Sequence, residues 1–218
     1  MTVLAARAAP AVSDVVAERQ RHLGRERTLK AIAALMGLSS IAGLLSGVVT
    51  LVLYFAGSFE FEEYALPTFV YGQVLSAVML WGSWRLWRLD RWGRLAIGLW
   101  AASLTLTSLT VVWTVVGTAR GAAAVAPTEN ESLAAFVGNL ILTMAIGFGL
   151  LAAYLWWLTF ARKTRRVVSP QYQAEVIAET PQISNRLATT TIVALVILAV
   201  FTLFSVVAPV FGVFKPAA

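Results

Sequence analysis

Residues 187–214 read LATTTIVALVILAVFTLFSVVAPVFGVF and contain no Asp, Glu, Lys, Arg or His. About 20 apolar residues at 1.5 Å rise per residue cross ~30 Å of hydrocarbon. Backbone groups inside hydrocarbon must pair within their own segment, so the stretch reads as a membrane-crossing helix. Further charge-free stretches of sufficient length occupy 132–161, 95–119, 64–84 and 31–58. The expected fold class is therefore all-α, a polytopic membrane protein with five transmembrane helices. Its expected organisation is a basic cytoplasmic tail over 1–30 and a five-helix transmembrane domain over 31–214, with an inner loop at 162–186. The first span follows a charged tail and exceeds the length of a cleaved signal peptide, so it reads as a signal anchor.

Composition agrees with that solvent. Of the 218 residues 59% are hydrophobic and 13% charged, with a mean hydropathy of +0.77. Soluble domains carry roughly 25% charged residues. The chain has no cysteine, which excludes disulfides, thiolate metal sites, iron–sulfur clusters and thiol catalysis. Its single histidine, His22, cannot build a histidine-based zinc or haem site alone. No metal and no cofactor are expected, and bound lipid is the one small partner that the composition invites.

The basic residues set the expected orientation. All but Arg120 and Lys215 of the 17 Lys and Arg residues lie in the N-terminal tail, in the connection after the second span, or in the connection after the fourth. The first loop on the opposite side is purely acidic, with Glu60, Glu62 and Glu63. Basic loops stay on the cytoplasmic side, so the N-terminus is expected inside and the C-terminus outside. Trp81, Trp84, Trp87 and Trp92 interleave with Arg85, Arg88 and Arg91 where the second span ends. Indole rings settle at the headgroup level and basic side chains reach anionic phosphates, so these residues read as membrane-interface anchors. Because that explanation is complete, no nucleic-acid partner is expected. Anionic lipids of the cytoplasmic face are.

Inside the spans the polar content is low. No ionisable residue lies within any of the five, which argues against proton-coupled transport, voltage sensing and intramembrane hydrolysis. Ser103, Thr107, Thr110 and Thr114 share one face of the third helix, either as the wall of a pore or ligand groove or as a packing face; packing is the expected use. Gln73 and Asn139, together with Thr50, Thr110 and Ser205, fall at similar depth and read as a hydrogen-bonded polar layer or a shallow ligand site. Ser39, Gly43 and Gly47 in the first helix, and Ala145, Gly149 and Ala153 in the fourth, form small-residue faces that let helices approach. No internal repeat, phosphate-binding glycine loop or nucleophile motif is found.

Local signals place the ends. Thr128 and Glu131 have capping-box spacing, which starts the fourth helix near Glu129. Asn130-Glu131-Ser132 has the form of a glycosylation sequon. Ser169-Pro170 opens a short helix over 170–178, expected to lie on the membrane with Tyr172, Val176 and Ile177 downward, and Thr180-Pro181 ends it. The tail around Val12, Val15, Val16, Arg19 and Leu23 reads as a second surface-lying amphipathic helix.

The segment from Ser169 to Ile183, with its Tyr, Val-Ile pair and Thr-Pro ahead of the last apolar helix, resembles a segment of uncharacterised small multi-pass membrane proteins of bacteria. The similarity covers the final quarter of the chain. It implies a bacterial inner-membrane location and carries no activity and no functional residues with it. The expected role is a non-catalytic membrane subunit or scaffold that packs against other membrane subunits or against copies of itself, and not an enzyme. The alternative is a small channel or permease for a neutral or weakly polar solute, lined by the hydroxyl face of the third helix.

Overall fold

The computed structural model describes residues 12–57, 65–122 and 131–213. Among them the chain is helical almost throughout and contains no strand. The long helices are α1 (Val12–Phe55), α2 (Ala65–Trp87), α3 (Arg91–Ala122) and α4 (Glu131–Phe160). A short α5 (Arg162–Val167) and α6 (Pro170–Tyr172), which continues as a π turn over Gln173–Ile177, lead to the last helix, α7 (Thr189–Val213). Thr128, Asn130 and the acidic loop at Glu60, Glu62 and Glu63 lie outside the described residues, as does Lys215.

Four helices, α1, α3, α4 and α7, are long and apolar enough to cross a membrane. The 23-residue α2 is less apolar because Gly72, Gln73, Ser76, Gly82 and Ser83 interrupt its hydrophobic run. Of these, Gln73, Ser76 and Ser83 face α1. A methyl group on Gly37 would meet the Ser83 hydroxyl, one on Gly43 the Ser76 hydroxyl, and one on Gly47 the Gln73 amide. The pairs descend in α2 as they ascend in α1, so the two helices pack antiparallel, with small residues permitting close approach.

α1 differs from the sequence expectation. The 44-residue helix is about 66 Å long at 1.5 Å per residue, roughly twice the hydrocarbon thickness. The charge-free part from Ala31 onward suits the membrane, and residues 12–30 project from it as a continuation of the same helix. They are neither a loose tail nor a separate helix lying flat. Val15, Arg19, Glu26, Leu29, Ala33, Met36, Ser40 and Gly47 are buried at helical spacing, so one stripe runs the length of both parts. Ser40 occupies this stripe, not Ser39, which is exposed.

The chain divides into two compact units, one from residues 1–93 and 162–218, the other from residues 94–161. In the first, α2 and α7 both pack on α1. The second is an antiparallel pair of α3 and α4. There the Ser108 hydroxyl donates to the Ala145 carbonyl at 2.8 Å, and the Trp156 indole donates to Thr105 Oγ1 at 3.3 Å. Gly149 lies against Ser108, and Ala152 is buried, whereas Ala153 is exposed.

The turn between α2 and α3 is tight. The Leu89 amide donates to the Leu86 carbonyl at 2.8 Å and the Asp90 amide to the Arg85 carbonyl at 3.0 Å, the paired bonds of a Schellman cap. The left-handed position is Leu89, at φ 58°, where glycine is usual. Its side chain is buried, which compensates for the strain. Just beyond, Gly93 lies directly on the backbone of Leu86.

Gly93→Ala is therefore expected to destabilise the chain by about 1–3 kcal/mol, since its methyl group would collide with the Leu86 backbone. Gly24→Ala, in the open on the projecting part of α1, is expected to stabilise it by up to ~1 kcal/mol. Thermal unfolding in a mild detergent, followed by circular dichroism, reads both shifts.

Candidate functional site

The densest chemistry of the first unit lies outside the charge-free spans, where residues 162–186 fold onto the projecting part of α1. Ser169 caps α6, its hydroxyl accepting the Tyr172 amide at 3.2 Å, with Pro170 in the first turn as the sequence predicts. Of the predicted apolar side, Tyr172 and Val176 are buried and Ile177 is half-buried, and the neighbour is α1, against which the turn packs.

At the centre is Glu26, a fully buried carboxylate. Its Oε1 accepts the Tyr172 hydroxyl at 2.8 Å, and its Oε2 accepts the Asn185 amide at 2.8 Å. Arg19, one helical repeat earlier on the same stripe, brings its Nε to 3.6 Å from Oε1. Arg19 Nη1 also donates to the Thr180 carbonyl and, at 2.8 Å, to the Thr180 hydroxyl, which itself donates to the Val176 carbonyl. Asn185 turns its oxygen to Lys30 Nζ at 2.6 Å, so one amide bridges an anion and a cation. Nearer the N-terminus, Arg166 donates through Nε and Nη2 to Glu18 at 3.0 and 2.9 Å. The ring of His22 meets Tyr172 edge-on at 5.6 Å.

Electrostatics keep the Tyr172 phenol protonated. Burial first, and the bond to Glu26 second, hold the Tyr172 phenol well above its ordinary value of 10.0. The hydroxyl therefore remains a donor to the carboxylate at every physiological pH. A buried carboxylate costs several kcal/mol unless it is paired and hydrogen-bonded, and Glu26 is both. With both oxygens engaged and no exposed surface, it holds the segment to α1 and has no open face for a substrate. Gln173 adds a second clasp, donating to the Leu89 carbonyl at 2.6 Å and so tying the loop to the turn after α2.

The residues singled out from the sequence fall elsewhere. Gly43 and Gly47 face α2, where the Gln73 amide donates to the Gly43 carbonyl at 3.3 Å. Thr50 and Ser205 donate to their own helices, at Ser46 and Phe201, and so do not join Gln73 in a hydrogen-bonded layer. The backbone of Asn139 is helical, and its side chain lies outside the described set. On α3, Ser103 donates to the Trp100 carbonyl, Thr107 to Ser103 and Thr114 to Thr110. Thr107, Thr110 and Thr114 are exposed; the face that meets α4 carries Thr105 and Ser108 instead.

The interface anchors do come together. Arg88 lies over the Trp84 ring at 4.2 Å, Arg85 over Trp81 at 5.2 Å and Arg91 over Trp92 at 5.6 Å. Arg85 also pairs with Asp90 at 2.8 Å. Lys30 of α1 joins this belt over Trp87 at 5.3 Å. Trp81, Trp84, Trp87 and Trp92 are all exposed. No family model, curated protein or solved structure matches the chain.

The network around Glu26 has a measurable signature. Glu26→Leu leaves Arg19 buried without its anion and is expected to cost about 3–5 kcal/mol, whereas Arg19→Leu combined with Glu26→Leu should recover much of that loss. The protection of residues 162–186 against limited proteolysis should follow the same order in the single and double variants.

Proposed function

We propose that the chain is a non-catalytic integral membrane subunit or scaffold that packs its exposed apolar helices against partner helices in a larger membrane complex or a homo-oligomer. The observation that carries the reading is how the polar groups are used. The hydroxyls of Ser103, Thr107 and Thr114 are spent on their own helix, Ser108 on α4 and Glu26 on its clasp, while α7 presents Ile192, Val196, Val200, Phe201 and Phe204 outward. A partner helix is as apolar as lipid, so such a face serves either neighbour. No cofactor or metal enters this role, and nucleic acid is not a partner.

The same proposal includes a fifth crossing, by α2. At about 34 Å for 23 residues it matches the bilayer, and it lies antiparallel along the apolar part of α1, so it occupies the same depth. The N-terminus lies inside and the C-terminus outside, because the clasp of α1 with residues 162–186 gathers the basic segments on one side. The antiparallel α2 and the direction of α7, which runs the same way as α1, support that alternation. The location is the inner membrane of a bacterium, with anionic lipids at the basic face.

Native electrophoresis and mass spectrometry of the tagged chain, expressed at its natural level and extracted in a mild detergent, should show it migrating with other membrane proteins, or with copies of itself, at fixed stoichiometry. Solute flux through liposomes containing the purified chain alone would replace the scaffold by a pore. Orientation is read separately: the chain has no cysteine of its own, so Glu62→Cys and Arg88→Cys should react with an impermeant maleimide from opposite sides. Equal labelling would overturn it.

A further inference from the structure

Two cavities of the first unit adjoin along α1 and differ in chemistry. One has a volume of ≈ 750 Å³, with Gly37 and Ile41 of α1 as its floor and Leu80, Trp84, Leu195 and Ala199 among its walls on α2 and α7. Ser83 supplies the one hydroxyl among its lining residues. The other, of ≈ 630 Å³, is lined by Arg19, Lys30, Asn185 and Arg186, with no carboxylate among its lining residues. The two meet twice. Lys30 lies over Trp87, which lines the apolar cavity. Arg186 precedes Leu187, which lines it too.

Arg19 is committed to Glu26 and Thr180. Lys30 and Arg186 form no salt bridge among the described residues; Lys30 donates to the neutral Asn185 and lies over the Trp87 ring, and the Glu26 carboxylate that acts on it from a distance is already paired with Arg19. A cationic chamber opening onto an apolar groove, with indole rings beside the junction, has the shape and charge of an amphiphile with an anionic head. Its volumes fall in the ~300–1,000 Å³ range of small-molecule sites. The cations sit at one end only, which a lipid headgroup satisfies and an apolar partner helix does not.

We propose that this pair of cavities is a specific site for one anionic phospholipid. An acyl chain lies in the groove between α2 and α7, and the phosphate lies at Lys30 and Arg186. Lipid tails and the groove are equally apolar, so the groove positions the acyl chain by shape, and the two cations select the headgroup. The inference rests on the bilayer location proposed above and not on the scaffold role.

The test uses the full chain in mild detergent, titrated with dioleoyl phosphatidylglycerol or dioleoyl phosphatidylcholine and examined by native mass spectrometry. One phosphatidylglycerol per chain should be retained in preference to phosphatidylcholine. Arg186→Gln and Lys30→Gln should each narrow that preference about fivefold, the effect of one basic residue near an anionic surface. Ala199→Trp, which fills the groove, should remove the adduct of either lipid while the chain keeps its elution volume. Arg186 is exposed, so its variant reads the headgroup even if Ala199→Trp misfolds. Equal retention of the two lipids, or retention unchanged by Arg186→Gln, would overturn the proposal. Displacement of the lipid by excess inorganic phosphate would also overturn it, by making the chamber a site for free anions. Release of the chain from membranes by alkaline carbonate reads the bilayer location independently.

Discussion

One helix facing two solvents is the constraint on which the rest of the first unit depends. α1 has a single buried stripe, and helical geometry carries that stripe unbroken from Val15 to Gly47. In the apolar part the stripe must meet another helix, and glycine and serine there let α2 come close. In the projecting part it must meet a polar segment, and there it holds Arg19 and Glu26. Because the helix is continuous, the angle at which α2 packs also fixes the direction in which Glu26 points. The loop that binds Glu26 then sets where α7 begins, since Asn185 stands just before it.

Much of the fold was legible because hydrocarbon imposes a simple rule. Backbone pairing must be internal, so a long charge-free run can only be a helix, and apart from the start of α1 the described ends of the long helices lie within a few residues of those runs. The cap at Ser169 was legible for a similarly local reason, its hydroxyl needing only the amide three residues on. The α2 helix marks where that rule weakens. Its serines, glycines and Gln73 lower its apolarity because they are contact residues against α1, and composition alone does not separate a contact face from an aqueous one.

The polar core was hidden by distance in sequence. Glu26 and Tyr172 are joined across 146 positions, and nothing local to either marks the other. One signal was present, the recurrence of Val15, Arg19, Glu26, Leu29 and Ala33 at steps that continue into the first span. Reading the tail as a separate surface helix broke that continuity, and with it the inference that two charged residues lie on the buried side. The burial of Tyr172 and Val176 was legible from their spacing. A bilayer surface and the side of α1 both accept an apolar face, and only the hydroxyl of Tyr172, which needs a buried acceptor, distinguishes them.

Charge has two separate uses in this unit. Glu18, Glu26 and Asp90 are each met by an arginine, Arg166, Arg19 and Arg85 respectively. Those pairs are locally neutral and hold the segments together at little cost in field. Lys30, Arg88 and Arg186 have no such carboxylate among the described residues; Lys30 lies over Trp87, Arg88 over Trp84, and Arg186 shares a cavity with Lys30. The positive charge open to a partner on this side therefore comes from a few unpaired residues and not from the +6 formal charge as a whole. The unpaired cations and the paired ones that close the loop are different side chains, so either set can be weakened by substitution while the other persists.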